Sequence, residues 1–187
     1  MIIGYFGLPG SGKSTMLARY YKKYGKKYHR VYSTHSIKGC YKLDFKDLGK
    51  YDFSNSLILL DEISLDADNR DYKSFTNDLK KFFILHRHYA CDIVWCSQYF
   101  DGVDKKIRGL TSELYYMRKL FCFTVTMKIK KILHVDNEKQ CIQEGEKLPS
   151  LLGLLFGGMH FIYRPLYYKY FDSFEKILLP KYQSELW

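Results

Sequence analysis

The chain has 187 residues, which suits one domain and leaves too little for two full ones, and 47% hydrophobic and 18% aromatic residues are a globular rather than a disordered composition. Lys and Arg number 30 against 20 acids, so the formal net charge of +10 favours a polyanionic partner such as nucleic acid or an anionic membrane surface. The 5 cysteines form no C-x-x-C pair and no basic, then apolar leader opens the chain, which points to a reducing compartment rather than a disulfide scaffold.

The apolar run at residues 2–6 predicts a first strand, and Gly7-Leu8-Pro9-Gly10-Ser11-Gly12-Lys13-Ser14 follows it directly, a complete G-x-x-x-x-G-K-[ST] phosphate loop. A helical stretch from Ser14 to Tyr24, ending at Gly25, completes the strand-loop-helix context that an accidental glycine-rich turn lacks. Glycines 7, 10 and 12 let the backbone fold back so that successive N–H groups face an anion, and the helix N-terminus adds partial positive charge. Gly7, Pro9, Gly10, Ser11, Gly12, Lys13, Ser14 and Thr15 are therefore expected to hold ATP. Within that set Lys13 reaches the β- and γ-phosphates, Thr15 touches the α-phosphate, and Ser14 completes the shell of a Mg²⁺ ion.

Further strands are predicted near 31–35, 57–61, 93–97 and 113–117, alternating with helical stretches. Phe75, Leu79, Phe82, Phe83 and His86 recur at helical spacing and predict an amphipathic helix over Asp71 to Arg87. The pattern is that of an α/β P-loop NTPase: a mainly parallel sheet of about five core strands with helices on both faces, of the RecA/FtsK-like kind. Residues 1–120 would form this core. Residues 121–187 read as a small β-rich C-terminal extension packed on it, with a hairpin of 121–127 and 132–135, a turn-rich segment from Asp136 to Pro149, and an apolar run from Leu151 to Tyr163. That run is well short of the roughly 20 residues that cross a bilayer, so it reads as buried or interfacial.

Leu57-Ile58-Leu59-Leu60-Asp61-Glu62 places an acid at the end of an apolar strand and a second acid directly after it. Asp61 suits Mg²⁺, and Glu62 can turn toward the γ-phosphate and polarise an attacking water; the alternative is two acids solvating a strand end. Gln98 ends the 93–97 strand at the same sheet edge, as a γ-phosphate or water contact or as a plain strand cap. Arg108 is a candidate arginine finger toward a neighbouring subunit's nucleotide, with Arg87 as its rival. Tyr99 and Phe100 read as loop anchors or as base-stacking rings, and His86, His88 and Cys91 match no usual zinc spacing.

Residues 2–120 resemble the zonular occludens toxin (Zot)-like family of filamentous-phage assembly ATPases, related to the FtsK and HerA class of motors. The resemblance rests on Gly7 to Ser14, Leu60-Asp61-Glu62-Ile63, His86-Arg87-His88, Asp92-Ile93, Gln98, Asp104 to Arg108 and Glu113 to Tyr116, with Arg164 and Tyr170-Phe171-Asp172-Ser173 in the tail. It implies an ATPase that forms a homo-oligomeric ring, a hexamer being one size, and helps to extrude single-stranded phage DNA alongside phage assembly or membrane proteins. The place implied is the bacterial cytoplasm or the inner face of the membrane. Family members continue into a transmembrane segment, so attachment of a chain ending at Trp187 is expected to come from a partner. The toxin activity in the family's name is implied by no residue here. Two other readings stay open: a small-molecule or nucleotide kinase, and a nucleotide-gated assembly switch with little turnover.

Overall fold

A computed structural model describes residues 1–66, 76–136, 141–147 and 158–172. Nine strands share one sheet: β1 (Ile2–Phe6), β2 (Arg30–Ser33), β3 (Tyr41–Lys42), β4 (Ser56–Leu60), β5 (Asp92–Ser97), β6 (Glu113–Leu120), β7 (Phe123–Asp136), β8 (Cys141–Lys147) and β9 (Met159–Tyr163). Their order is β3-β2-β4-β5-β1-β6-β7-β8, with β9 on β7. The first six strands run parallel and the last three add antiparallel. The α/β P-loop fold expected from the sequence is the fold observed.

Strand pleating sends successive side chains to opposite faces, and each face has its own core. Ile3, Leu57, Leu59, Val94 and Cys96 pack under helix α1 (Lys13–Tyr24), against Met16, Leu17 and Ala18. Ile2, Ile58, Leu60, Ile93 and Trp95 face the other way, against Leu79, Phe82 and Phe83 of α3 (Asn77–Leu85) and Ile107 of α4 (Lys105–Leu110). A short helix, α2 (Ile63–Asp66), leaves the end of β4. Trp95 is wholly buried, its indole N–H donating to Thr111 Oγ1 at 3.0 Å, and it fills the space above Gly4 so closely that any Cβ there would fall 2.2 Å from the ring.

Several boundaries differ from expectation. Of the helix expected over 71–87, residues 71–75 lie outside the described residues and the helix begins at Asn77. Thr76 is extended and its hydroxyl accepts from Leu79 N–H at 3.3 Å, an N-cap that ends the helix on that side. The hairpin expected of 121–127 and 132–135 does not form, because β7 runs unbroken through both. Lys128 and Lys130 alternate with Met127 and Ile129 at strand period, and the chain turns back instead at Phe121, which takes φ +49°. β7 pairs with β6 through 123–129 and with β8 through 130–136, so part of the expected turn-rich segment is a strand. From the apolar run, 151–157 lie outside the described residues, and Met159–Tyr163 is β9, with Ile162 buried and Phe161 exposed.

Candidate nucleotide-binding site

Insertion of β5 between β1 and β4 arranges the site. The carboxyl ends of these parallel strands lie at one sheet edge, so the loop after β1, the acids after β4 and Gln98 after β5 meet there, with Thr34 and His35 arriving from β2. They border a cleft of about 840 Å³, large enough for a nucleotide, whose lining includes Pro9, Gly10, Gly12, Lys13, Ser14, Thr15, Asp61, Glu62 and Gln98. Gly7 and Ser11, also of the loop, are buried and do not line the cleft.

Gly10 and Gly12 take φ +76° and +100°, the left-handed region that lets the loop curl back before α1. A Cβ on Gly12 would fall 2.0 Å from Thr124 Oγ1, and that hydroxyl donates to Ser11 O at 2.8 Å, so β7 holds the loop from behind. Lys13 Nζ donates to Gly7 O at 3.2 Å and lies 3.9 Å from Glu62 Oε2. Ser14 Oγ donates to Asp61 Oδ2 at 3.1 Å.

Asp61 is held by its backbone, whose N–H donates to Thr34 Oγ1 at 2.9 Å, and His35 Nδ1 lies 4.0 Å from Asp61 Oδ2. Burial pushes the Asp61 carboxyl above its ordinary range, against the opposing pull of His35, the Ser14 hydroxyl and Lys13. A largely buried carboxyl hydrogen-bonded to a hydroxyl is a donor set that fits Mg²⁺.

Glu62 takes φ +48°, a conformation costing a side-chain-bearing residue about 1–2 kcal/mol. Its Oε1 accepts from Gln98 N–H at 2.9 Å and Ser64 Oγ at 2.8 Å. These bonds hold the carboxylate at the cleft in spite of the strain. Gln98 thus acts on Glu62 through its backbone and is part of the cleft lining.

Arg108 stands apart. Its Nη1 donates to Asp101 Oδ1 at 3.0 Å, its guanidinium lies 4.7 Å from the Phe100 ring centroid, and it does not line the cleft of its own chain. Arg87 is exposed beyond α3. Phe100 packs on Phe6 as an anchor, whereas Tyr99 is 65% exposed. His86 is buried with Nδ1 2.8 Å from Phe83 O, and no cluster of three or more His, Cys, Asp or Glu side chains able to hold a metal occurs among the described residues.

Reading the residues singly did not find Thr34, His35, Thr124 or Tyr168 as neighbours of the cleft, and Arg164 and Phe171 entered only through the family resemblance. For Thr34 and His35 a signal existed: a polar pair at the carboxyl end of a predicted parallel strand. Thr124 and Tyr168 carry none, because only long-range pairing brings them here.

Fold and cleft together define a P-loop NTPase fold with its phosphate loop, acids and strand-end glutamine at one edge. Residues 15–152 match the family model "Zonular occludens toxin (Zot)", and the chain belongs to that family. The N-terminal domain of zonular occludens toxin from Neisseria meningitidis is similar in structure, with a TM-score of 0.58 at 17% identity, over 81% of this chain and 96% of that one. The DNA-packaging ATPase B204 from Sulfolobus Turreted Icosahedral Virus gives 0.49 at 12% identity, over 80% of this chain and 98% of that one. No curated protein matched the sequence. No helix among the described residues is long and apolar enough to cross a membrane.

Proposed function

We propose that this chain is an ATP-hydrolysing motor of phage morphogenesis that works as a ring and assists the export of single-stranded viral DNA. The observation that carries the reading is the meeting of Lys13, Ser14, Asp61 and Glu62 across one cleft, with Ser14 bonded to Asp61 and Lys13 facing Glu62. Loop N–H groups and Lys13 bind the triphosphate. Ser14 and Asp61 would hold Mg²⁺, whose charge offsets that of the phosphates. Glu62, oriented by Gln98 and Ser64, accepts a hydrogen bond from water and aims it at the γ-phosphorus. Gln98 relays the state of the γ-phosphate to the loop beyond β5. Arg108, outside its own cleft, is assigned to the nucleotide of a neighbouring copy. Family membership supports phage assembly as the setting, and the net charge of +10 supports a nucleic-acid cargo bound mainly through phosphates.

Two variants test the chemistry. With Mg²⁺ present, K13A is expected to lose ATP binding, whereas E62Q keeps it and loses turnover by about 10²–10⁴-fold. Release of free phosphate, stimulated by single-stranded DNA and damped by salt, is the expected product pattern. Full turnover in E62Q, or transfer of the phosphate to an added metabolite in place of water, refutes the reading.

A further inference from the structure

After β9 the chain forms a strap over α1, from Arg164 beside Gly12 at its amino end to Tyr167 and Tyr170 beside Lys22 and Tyr21 in its last turns. Its first residue is pinned by Arg164 N–H donating to Cys122 O at 3.0 Å; its last turn is pinned by Lys38 N–H donating to Tyr170 O at 2.8 Å and by the bridge between Ile37 and Phe171. Between the pins, residues 164–170 make a 3₁₀ helix lying on α1, with Lys22 Nζ 5.5 Å from the Tyr167 ring centroid and Tyr21 edge-on to Tyr170. The strap walls the cleft, and Arg164 and Tyr168 line it.

Arg164 Nε is buried and has no hydrogen-bond partner among the described residues. It lies 3.6 Å from where a Cβ on Gly12 would stand, against the phosphate loop itself. A desolvated guanidinium nitrogen beside an anion-binding loop lacks an acceptor, and a phosphate oxygen is the acceptor the loop is shaped to bring. One turn later Tyr168 is 48% exposed, its ring braced edge-on by Phe171 with the Arg164 guanidinium 6.0 Å from its centroid. A half-exposed ring on the wall of a cleft larger than a triphosphate needs is a platform for a planar base.

We propose that the strap is a nucleotide clamp supplied in cis, with Arg164 binding the phosphate chain and Tyr168 stacking on the nucleobase. The clamp rests on the reading of the cleft as a nucleotide site. It gives residues beyond the P-loop core a part in ligand binding, because the phosphate loop grips only one end of the ligand.

Calorimetric titration of the full chain with ATP and with inorganic tripolyphosphate, each with Mg²⁺, separates the two contacts. R164A is expected to weaken both probes by about 10-fold or more, since a charge-assisted hydrogen bond is lost from each. Y168L is expected to weaken ATP by about 5-fold or more and to leave tripolyphosphate unchanged, since only ATP carries a base. R164K and Y168W guard against misfolding: the first should bind both probes more weakly than wild type, and the second should bind ATP as wild type does. The clamp is overturned if wild type binds both probes while R164A and R164K match it, or if Y168L weakens tripolyphosphate as much as ATP. A wild-type chain that binds neither probe overturns the nucleotide-site reading itself, and the clamp falls with it.

Discussion

Replacing Gly12 by alanine puts two independent penalties on one atom. The backbone holds φ +100°, where a Cβ costs about 1–2 kcal/mol through its clash with the backbone. The same Cβ would fall 2.0 Å from Thr124 Oγ1, so Thr124 must swing away and give up its 2.8 Å bond to Ser11 O, leaving a buried carbonyl unpaired at about 1–3 kcal/mol. G12A should therefore lose about 2–5 kcal/mol of stability. T124A removes the hydroxyl beforehand. In that background the alanine should cost only the conformational part, so the double-mutant cycle should show a coupling of about 1–3 kcal/mol in the relieving direction. Urea denaturation of wild type, both single variants and the double variant measures it. Additivity within about 0.5 kcal/mol would mean that β7 does not brace the phosphate loop, and the reasoning fails.

Thiol chemistry and pH supply two more checks. Cys122 is exposed, whereas burial pushes the thiols of Cys91 and Cys96 up, and that of Cys40 to about 12. In a C141S background, one thiol per native chain should react rapidly with an aromatic disulfide, and loss of that signal in C122S confirms its source; prompt reaction of all four refutes the burial pattern. Hydrogen bonds from Lys128, and secondarily from Tyr115, hold the Glu113 carboxyl below the usual glutamate range. The folded value is the lower one, so the pair stabilises the fold above the unfolded value near 4.3 and loses that contribution as pH falls below it. K128M should flatten this part of the acid limb by a few tenths of a kcal/mol, given the pair's exposure, and an unchanged stability-pH curve counts against the pairing.

What could be read from the residues shared one property: its cause was local. The phosphate loop is a run of neighbouring residues, and its glycines are needed for backbone reasons that act within a turn. The strand at 57–60 was legible because four consecutive apolar residues suit burial on both faces. Errors fell at the bounds of elements. The hairpin expected of 121–127 and 132–135 is one strand, because β6 pairs with it as far as Ile129 and β8 takes over from Lys130. The helix at 77–85 was found but started too early, because apolar spacing alone does not show that Thr76 caps it.

By itself, then, the sequence determined an α/β chain with a phosphate-binding turn after its first strand and a pair of acids after a buried one. Tertiary structure decided which groups surround them: β5 lies between β1 and β4, so Gln98 reaches Glu62; β2 brings Thr34 and His35 to Asp61; and β9 returns the chain so that Arg164 meets Gly12. The reason is range. Backbone sterics and apolar alternation act over a few residues, whereas the order of strands in a sheet is settled by burial and pairing summed over the whole domain.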